Sequence, residues 1–353
     1  MMRLTGLHSR FLHALQKPSF GVKTARSVLP LQEKLRLYGT AQPDLFVKSP
    51  RPADAPVQIA VIGDSGSGNG AQAATAKLLN TLHQTTPLDA VLMLGDNVYV
   101  FDREKAEGKT SSDYFESRLY APYKALYEDD VKFYPVLGNH DVVHGEADAQ
   151  LAFMGSPPFY SHRIGPAEIF VIDTTLYLPG YGYVPKNLQP SLRQKQADVQ
   201  TVWLKAALKR SNAPIKLVCG HYPVYASGDH RVGDPAIKTF EAIMKPVLEQ
   251  SGAQMYLSGH EHIYERLTDS KGLPHIVLGT SGRCAERPIQ SRHALSQLLN
   301  NQPKQHHVML MTLHPSGQMA FKTYNTQAEL VDSGVYETPR PKPNNKAPNN
   351  KRP

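Results

Sequence analysis

The sequence is poor in cysteine and has no long hydrophobic run. Its two cysteines, Cys219 and Cys284, are too few for a disulfide framework or a four-sulfur metal site. No stretch approaches the ~18 consecutive apolar residues of a membrane-spanning helix, so we expect no transmembrane segment. The sequence also lacks an Asn-x-Ser/Thr acceptor for glycosylation. With 353 residues, 41% of them hydrophobic, the chain is long and apolar enough to fold around a large core.

The formal net charge of +8 comes from the two ends of the chain. Residues 1–50 contain eight Lys and Arg against two acidic residues, and residues 338–353 contain five against none. The residues between these ends contain 26 basic and 29 acidic side chains. This balance does not predict the basic face on which nucleic-acid binding depends. We therefore expect no nucleic-acid partner for the folded part of the chain.

Composition divides the chain into three segments. Residues 1–50 form a basic N-terminal extension that has no apolar signal-peptide core; its acid-poor start is typical of a targeting segment and equally of a disordered arm. Residues 51–330 are predicted to form one domain. Residues 331–353 are predicted to be a disordered basic tail rich in Pro, Asn and Lys.

Five short apolar runs each end in a glycine that is followed by a polar residue. They cover residues 57–62, 90–94, 133–137, 216–219 and 254–258. Runs of this length rich in Val, Ile and Leu predict buried strands. Helical patterns at residues 71–84 and 195–209 separate them, and the second places Val199, Val202, Trp203, Ala206 and Ala207 on one predicted core face. Further strands are predicted at residues 169–173, 275–278, 308–313 and 319–322, which together favour an α/β fold, a two-sheet β-sandwich flanked by helices.

The polar residues after the strands form a candidate metal site, because sites in α/β sheets lie beyond the carboxyl ends of strands. The candidates are Asp64, Asp96, Tyr99, Asn139, His140, His221, His260 and His262. Oxygen and imidazole ligands without thiolate suit iron, zinc or manganese. The Asp96 carboxylate has two oxygens and could bridge two ions about 3.5–4 Å apart. A Tyr99 phenolate favours a trivalent iron.

The motifs GDSG, GDNVY, GNHD, VCGHYPVY and GHEH, in this order, resemble those of the purple acid phosphatases. These enzymes are calcineurin-like metallophosphoesterases, and the small tartrate-resistant form is the most similar. The resemblance covers residues 57 to about 285. Many members of the superfamily have Asp-x-His in the first motif; here Ser65-Gly66 follows Asp64, and the resemblance implies that Tyr99 would supply a ligand as in the purple enzymes.

The resemblance implies a ligand set, a substrate class and a fold. The iron(III) ligands would be Asp64, Asp96, Tyr99 and His262, and the ligands of a divalent Fe, Zn or Mn would be Asp96, Asn139, His221 and His260. His140 and His230 would contact the substrate and protonate its leaving group. The expected protein is a monomeric acid phosphatase that hydrolyses phosphate monoesters, with the four-layer metallophosphoesterase fold. Family members are commonly exported, but the compartment stays open here.

Two alternative functions remain open. The same site could hydrolyse phosphodiesters or nucleotides, or the protein could be a binding or effector protein that acts through its basic tails. The Pro- and Gly-rich residues 178–192 predict a long loop, either a mobile loop near the site or an ordinary surface loop.

Overall fold

The computed structural model describes residues 54–337, apart from residues 102–103, 106, 144–146, 179–188, 229–234, 287–288, 290–291, 301 and 303. The N-terminal extension, the end of the C-terminal tail, His230 and most of the predicted loop at 178–192 lie outside the described residues. No helix in the described part is both long and apolar enough to cross a membrane.

The described residues form thirteen strands and seven α-helices. The strands are β1 Val57–Ile62, β2 Ala90–Met93, β3 Lys132–Pro135, β4 Tyr160–Ile164, β5 Ala167–Val171, β6 Ile215–Cys219, β7 Met255–Ser258, β8 Tyr264–Thr268, β9 Pro274–Leu278, β10 Ser296–Asn300, β11 His307–Leu313, β12 Met319–Asn325 and β13 Leu330–Tyr336. The helices are α1 Gly70–Thr85, α2 Ser111–Phe115, α3 Lys124–Glu128, α4 Asn139–Val143, α5 Ala147–Met154, α6 Gln189–Arg210 and α7 Pro235–Gln250. A π-helical turn at Glu116–Tyr120 and 3₁₀ turns at Ala121–Tyr123 and Thr174–Tyr177 complete the set.

The strands form two mixed sheets. The first has the order β13-β12-β11-β1-β2-β3, and the second has the order β10-β8-β9-β7-β6-β5-β4. Strands β1, β2 and β3 are parallel in the first sheet. Strands β5, β6, β7 and β9 are parallel in the second. The loops that follow these parallel strands therefore emerge together, as in other α/β sheets.

Hydrophobic residues pack in three layers between and outside the sheets. Alternate residues of β1 show the division: Ile59 and Val61 pack in the core between the sheets with Leu217 and Leu257 of the second sheet. The intervening residues of β1 pack outward in a cluster with helix α1. On the outer face of the second sheet, residues of α6 and α7 form another cluster. This helix–sheet–sheet–helix arrangement confirms the predicted two-sheet fold.

Helix α1 illustrates how local sequence sets an element. The Asn69 side chain accepts hydrogen bonds from the backbone N–H of Ala71 and Gln72, which satisfies N–H groups that have no partner inside the helix. Ala76, Leu78 and Leu79 are buried on the face toward the first sheet. The helix thus begins directly after the glycine-rich turn that carries Asp64.

All nine predicted strands are present, and the structure adds β4, β8, β10 and β13. Strand β13 pairs with β12 and continues to Tyr336, so the sheet extends past residue 330, where the sequence placed the end of the domain. The predicted helix at 195–209 lies within α6, which begins at Gln189, inside the predicted loop. Val202 is 68% exposed, so its placement on the core face was wrong; Leu204 and Leu208 are buried instead.

Candidate metal centre

Two buried aspartates occupy the turns that follow β1 and β2. Asp64 and Asp96 have φ angles of 54° and 51°, a region that residues other than glycine rarely adopt. The turns are joined because the Asp64 N–H donates to the Gly95 carbonyl at 3.0 Å and the Gly66 N–H donates to the Asp96 carbonyl at 3.1 Å. A Cβ at Gly95 would lie 2.4 Å from Nδ1 of His221. The absent side chain therefore allows the His221 ring to pack against the turn.

Four side chains converge at one end of the site. The Tyr99 hydroxyl lies 3.1 Å from Oδ1 of Asp64 and 3.0 Å from Oδ2 of Asp96. Nε2 of His262 lies 3.4 Å from that hydroxyl and 3.4 Å from Oδ1 of Asp64. The Tyr99 hydroxyl has one hydrogen for two carboxylate oxygens. The first ligand group predicted from the sequence is thus brought together.

The second predicted group converges on the other oxygen of Asp96. Nε2 of His221 lies 3.4 Å from Oδ1 of Asp96 and 3.0 Å from Oδ1 of Asn139, which is itself 3.2 Å from Nδ1 of His260. Nδ1 of His221 is 2.8 Å from the Leu94 carbonyl, which accepts a hydrogen bond and leaves Nε2 to face the oxygens. Asp96 therefore contributes one oxygen to each group.

The spacing of these atoms fits cations. A metal ion about 2.1 Å from each ligand holds adjacent ligand atoms about 3.0–3.4 Å apart. The contacts in both groups fall between 3.0 and 3.4 Å. Ligand atoms of Asp64, Asp96 and His221 all lie within 4.8 Å of one another, and all three residues are buried. Buried acceptor atoms this close favour a positive charge between them.

The pKa shifts of the site reflect its burial. Burial raises the pKa of the Asp64 carboxyl well above its usual value. Burial, followed by the charges of Asp96 and Asp64, raises the pKa of the Tyr99 phenol, while the nearby Arg283 opposes this shift. Burial also lowers the pKa of His262 to about 4, so its imidazole is neutral. A bound cation would favour the ionised carboxylate and phenolate and use the neutral imidazole as a ligand.

His140 lies beside this centre, half-buried. Its ring centroid is 4.5 Å from that of Tyr99, and its backbone N–H donates to Oδ1 of Asp96 at 2.9 Å. Its predicted contact with the substrate stays a prediction. His230, the second residue predicted to contact the substrate, lies outside the described residues.

Asp141 is a buried residue of the site that was not among the candidate ligands. Its Oδ1 accepts from the Val98 N–H at 2.9 Å, and its Oδ2 accepts from the Gly138 N–H at 2.8 Å and from Nδ2 of Asn97 at 3.2 Å. Burial, followed by the charge of Asp96, raises its pKa. Asp141 thus joins the loop that carries Tyr99 to the turn that carries Asn139. Its place inside the GNHD motif was the available sequence signal.

Arg283 is a residue near the centre that the sequence analysis missed. Its guanidinium carbon lies 5.2 Å from the centroid of the Tyr99 ring. His306, whose backbone precedes β11, has its Nδ1 at 2.9 Å from the Thr280 carbonyl and 3.1 Å from the Arg283 carbonyl. No local pattern in the sequence indicates this position, because the contact depends on how the loop after β9 folds back over the site.

Comparisons with known proteins identify the family of this chain. The family model described as calcineurin-like phosphoesterase matches residues 57–264, more than half of the chain. Human tartrate-resistant acid phosphatase type 5 is 28% identical over 224 residues, which cover 58% of this chain and 65% of that protein. Purple acid phosphatase 17 of Arabidopsis thaliana is 27% identical over 252 residues, covering 67% and 72%. The chain thus spans less than two thirds of the length of the mammalian relative.

Solved structures share the fold. A purple acid phosphatase from yellow lupin seeds has a TM-score of 0.62 at 16% identity, covering 82% of this chain and 55% of that one. A dimetal phosphatase from Danio rerio has a TM-score of 0.56 at 17% identity, covering 81% and 99%. GAP50, the anchor in the inner membrane complex of Plasmodium, has a TM-score of 0.65 at 19% identity, covering 81% and 90%. The resemblance to the purple acid phosphatases is confirmed, and the chain belongs to the calcineurin-like phosphoesterase family.

Proposed function

We propose that this protein is a dinuclear-metal acid phosphatase that hydrolyses phosphate monoesters. The observation that carries the proposal is the division of the Asp96 carboxylate, with Oδ2 facing the Tyr99 hydroxyl and Oδ1 facing His221. A carboxylate that serves two ligand groups is suited to hold a pair of adjacent cations. The named relatives support the reaction class.

The ligand types favour two different ions. Asp64, Asp96, Tyr99 and His262 supply two carboxylates, a phenol and an imidazole, a set that suits iron(III). Asp96, Asn139, His221 and His260 supply a carboxylate, an amide oxygen and two imidazoles, a set that suits divalent iron, zinc or manganese. When bound, such a metal pair supplies a hydroxide of low pKa and a positive field for phosphate oxygens.

Residues of the chain would orient the substrate and move its proton. His140 lies at the centre but belongs to neither ligand group, so its imidazole can contact a phosphate oxygen. His230 is the proposed proton donor to the leaving group. Both imidazoles would act in their protonated form, and a rate maximum below neutral pH is therefore expected.

The test is hydrolysis of nitrophenyl phosphate by the purified full chain, together with its metal content. We expect turnover with about two metal ions per chain, and a loss of at least about 10³-fold in Asp96→Asn with the fold retained. Faster hydrolysis of bis-nitrophenyl phosphate would favour the phosphodiesterase alternative. A rate maximum above neutrality would contradict the roles of His140 and His230.

A shortened chain tests the role of the tails. A chain lacking residues 1–50 and 338–353 retains every strand of both sheets among the described residues. The proposal predicts that this shortened chain keeps its turnover. If the shortened chain keeps its metal centre but loses its activity, the result would favour the effector alternative, in which the protein acts through its tails.

A further inference from the structure

The loop after β9 is held firmly against the metal-ligand turns. The Ser281 N–H donates to the Gly63 carbonyl at 3.0 Å, and the Gly63 N–H donates to Oγ of Ser281 at 3.1 Å. A Cβ at Gly282 would lie 2.5 Å from the Ser65 carbonyl oxygen, so the backbones are in close contact. The Ala285 N–H donates to the His262 carbonyl at 2.8 Å. The backbone on both sides of Arg283 is therefore fixed relative to the candidate centre.

The Arg283 guanidinium has no acidic partner in the described part of the chain. It is half-buried and lies over the Tyr99 ring, and none of its nitrogens makes a hydrogen bond or ion pair with a described residue. By contrast, Arg118 is buried with Glu104 at 2.7 Å, and Arg266 lies 2.8 Å from Asp332. The guanidinium N–H groups of Arg283 are therefore available to donate hydrogen bonds to an anion that enters the site.

The location of Arg283 indicates which anion that is. Its charge lies close enough to act on both Tyr99 and His262, the residues of the proposed iron(III) group. The charges of an iron(III) ion, a divalent ion and the guanidinium would exceed the negative charges of Asp64, Asp96 and Tyr99, so this region would attract an anion. A guanidinium presents five N–H donors in a planar fork that matches phosphate oxygens.

We propose that Arg283 binds a phosphate oxygen of the substrate and makes the site prefer monoesters to diesters, an inference that rests on the proposed function. A monoester has three unesterified oxygens and a diester has two, so an additional donor favours the monoester. A monoester can also lose a second proton, with a pKa of about 6, and then carries two negative charges, whereas a diester carries only one. Arg283 is thus a specificity residue in addition to the metal ligands.

A purely structural role makes a different prediction. A cation–π contact with Tyr99 contributes stability whether the substrate is bound or absent. In that case Arg283→Met, which keeps an apolar chain over the ring, would lower thermal stability and change the hydrolysis of both esters by one common factor. The ratio of the two esters therefore separates the roles.

The experiment compares the full chain as purified with Arg283→Met, Arg283→Lys and the control Arg210→Met. Arg210 is exposed at the end of α6, before the amino end of β6, whereas the site lies beyond the carboxyl ends of the strands. Arg210→Met therefore removes one positive charge at the opposite end of the sheet from the site. The measurements are kcat/KM for nitrophenyl phosphate and its bis-ester, and calorimetric binding of inorganic phosphate. We expect Arg283→Met to lower the monoester value and the phosphate affinity about 10- to 100-fold. The diester value should change less than about threefold, Arg283→Lys should recover part of the loss, and Arg210→Met should match the parent.

Unchanged phosphate affinity in Arg283→Met, or an equal fall for both esters, would overturn the inference. The proposed function can fail separately. If the parent hydrolyses neither ester but binds phosphate more tightly than Arg283→Met does, the anion site is supported and the phosphatase assignment is contradicted.

Discussion

The Tyr99 hydroxyl lies 3.1 Å from Oδ1 of Asp64, although 35 positions separate the two residues. Tyr99→Phe removes this hydroxyl and keeps the ring, which lies 4.5 Å from that of His140. If Tyr99 binds iron(III) as its phenolate, we expect the purified protein to absorb in the visible range and Tyr99→Phe to lose that band. Tyr134→Phe, on β3, is the matched control and should keep it. A colourless, iron-free, active parent would contradict the iron assignment and leave the phosphatase proposal in place.

A glycine contact tests how tightly the centre is packed. A Cβ at Gly138 would lie 2.3 Å from both the backbone N and Oδ1 of Asp96. Gly138→Ala should therefore displace Asp96, lower the free energy of unfolding by about 1–3 kcal/mol and weaken metal binding. Urea unfolding and metal analysis measure the two effects. Gly70→Ala is the control, because nothing lies within 4 Å of its added Cβ. Equal behaviour of the two variants would contradict the packing described for the Asp96 turn.

Asp141 provides a test of loop positioning. Both of its carboxyl oxygens accept hydrogen bonds from N–H groups. In Asp141→Asn, the amide NH₂ must face at least one of these donors. We expect the free energy of unfolding to fall by about 1–3 kcal/mol, measured by urea unfolding, with weaker metal binding. Asp130→Asn is the control, since the Asp130 side chain is 82% exposed. Unchanged stability in Asp141→Asn would show that these bonds do not hold the two loops together.

We predict that the folded protein loses stability in acid because of His307. Its buried ring packs beside the loop after β9, with Nδ1 at 2.9 Å from Oγ1 of Thr280, and burial lowers its pKa to about 4. Between pH 6.5 and 4 the unfolded chain binds a proton that the folded chain does not, so the free energy of unfolding falls as the pH falls through this range. The contribution is roughly 3 kcal/mol for a shift of this size. His307→Gln should reduce this pH dependence. Parallel pH profiles for the parent and His307→Gln would rule out this histidine as the cause.

The central strands and the ligand positions could be predicted because both depend on local sequence. Each buried run marks a strand, and its terminal glycine and polar residue mark the turn beyond it. Strands such as Ser296–Asn300 were missed because their residues are only partly buried and lack a continuous apolar run. Helix α7 was missed although its apolar face is strong; Pro246 lies in its interior.

Arg283 could not be predicted for a different reason. Its position depends on the pairing of Ser281 with Gly63, two residues 218 positions apart in the chain. A contact of this kind leaves no periodicity or spacing in the sequence. The same limit applies to the hydrogen bonds by which Asp141 joins the Tyr99 loop to the Asn139 turn, although Asp141 itself lies in the GNHD motif.

The ligand groups draw residues from both layers of the sandwich. Asp64, Asp96 and Asn139 follow strands of the first sheet, whereas His221 and the His260–His262 segment follow strands of the second. Ions bound between them would cross-link the two sheets. Opening the sandwich and releasing the ions would then be a single event, and resistance to heat would rise with the concentration of free metal. A chelator would act on this protein as a mild denaturant.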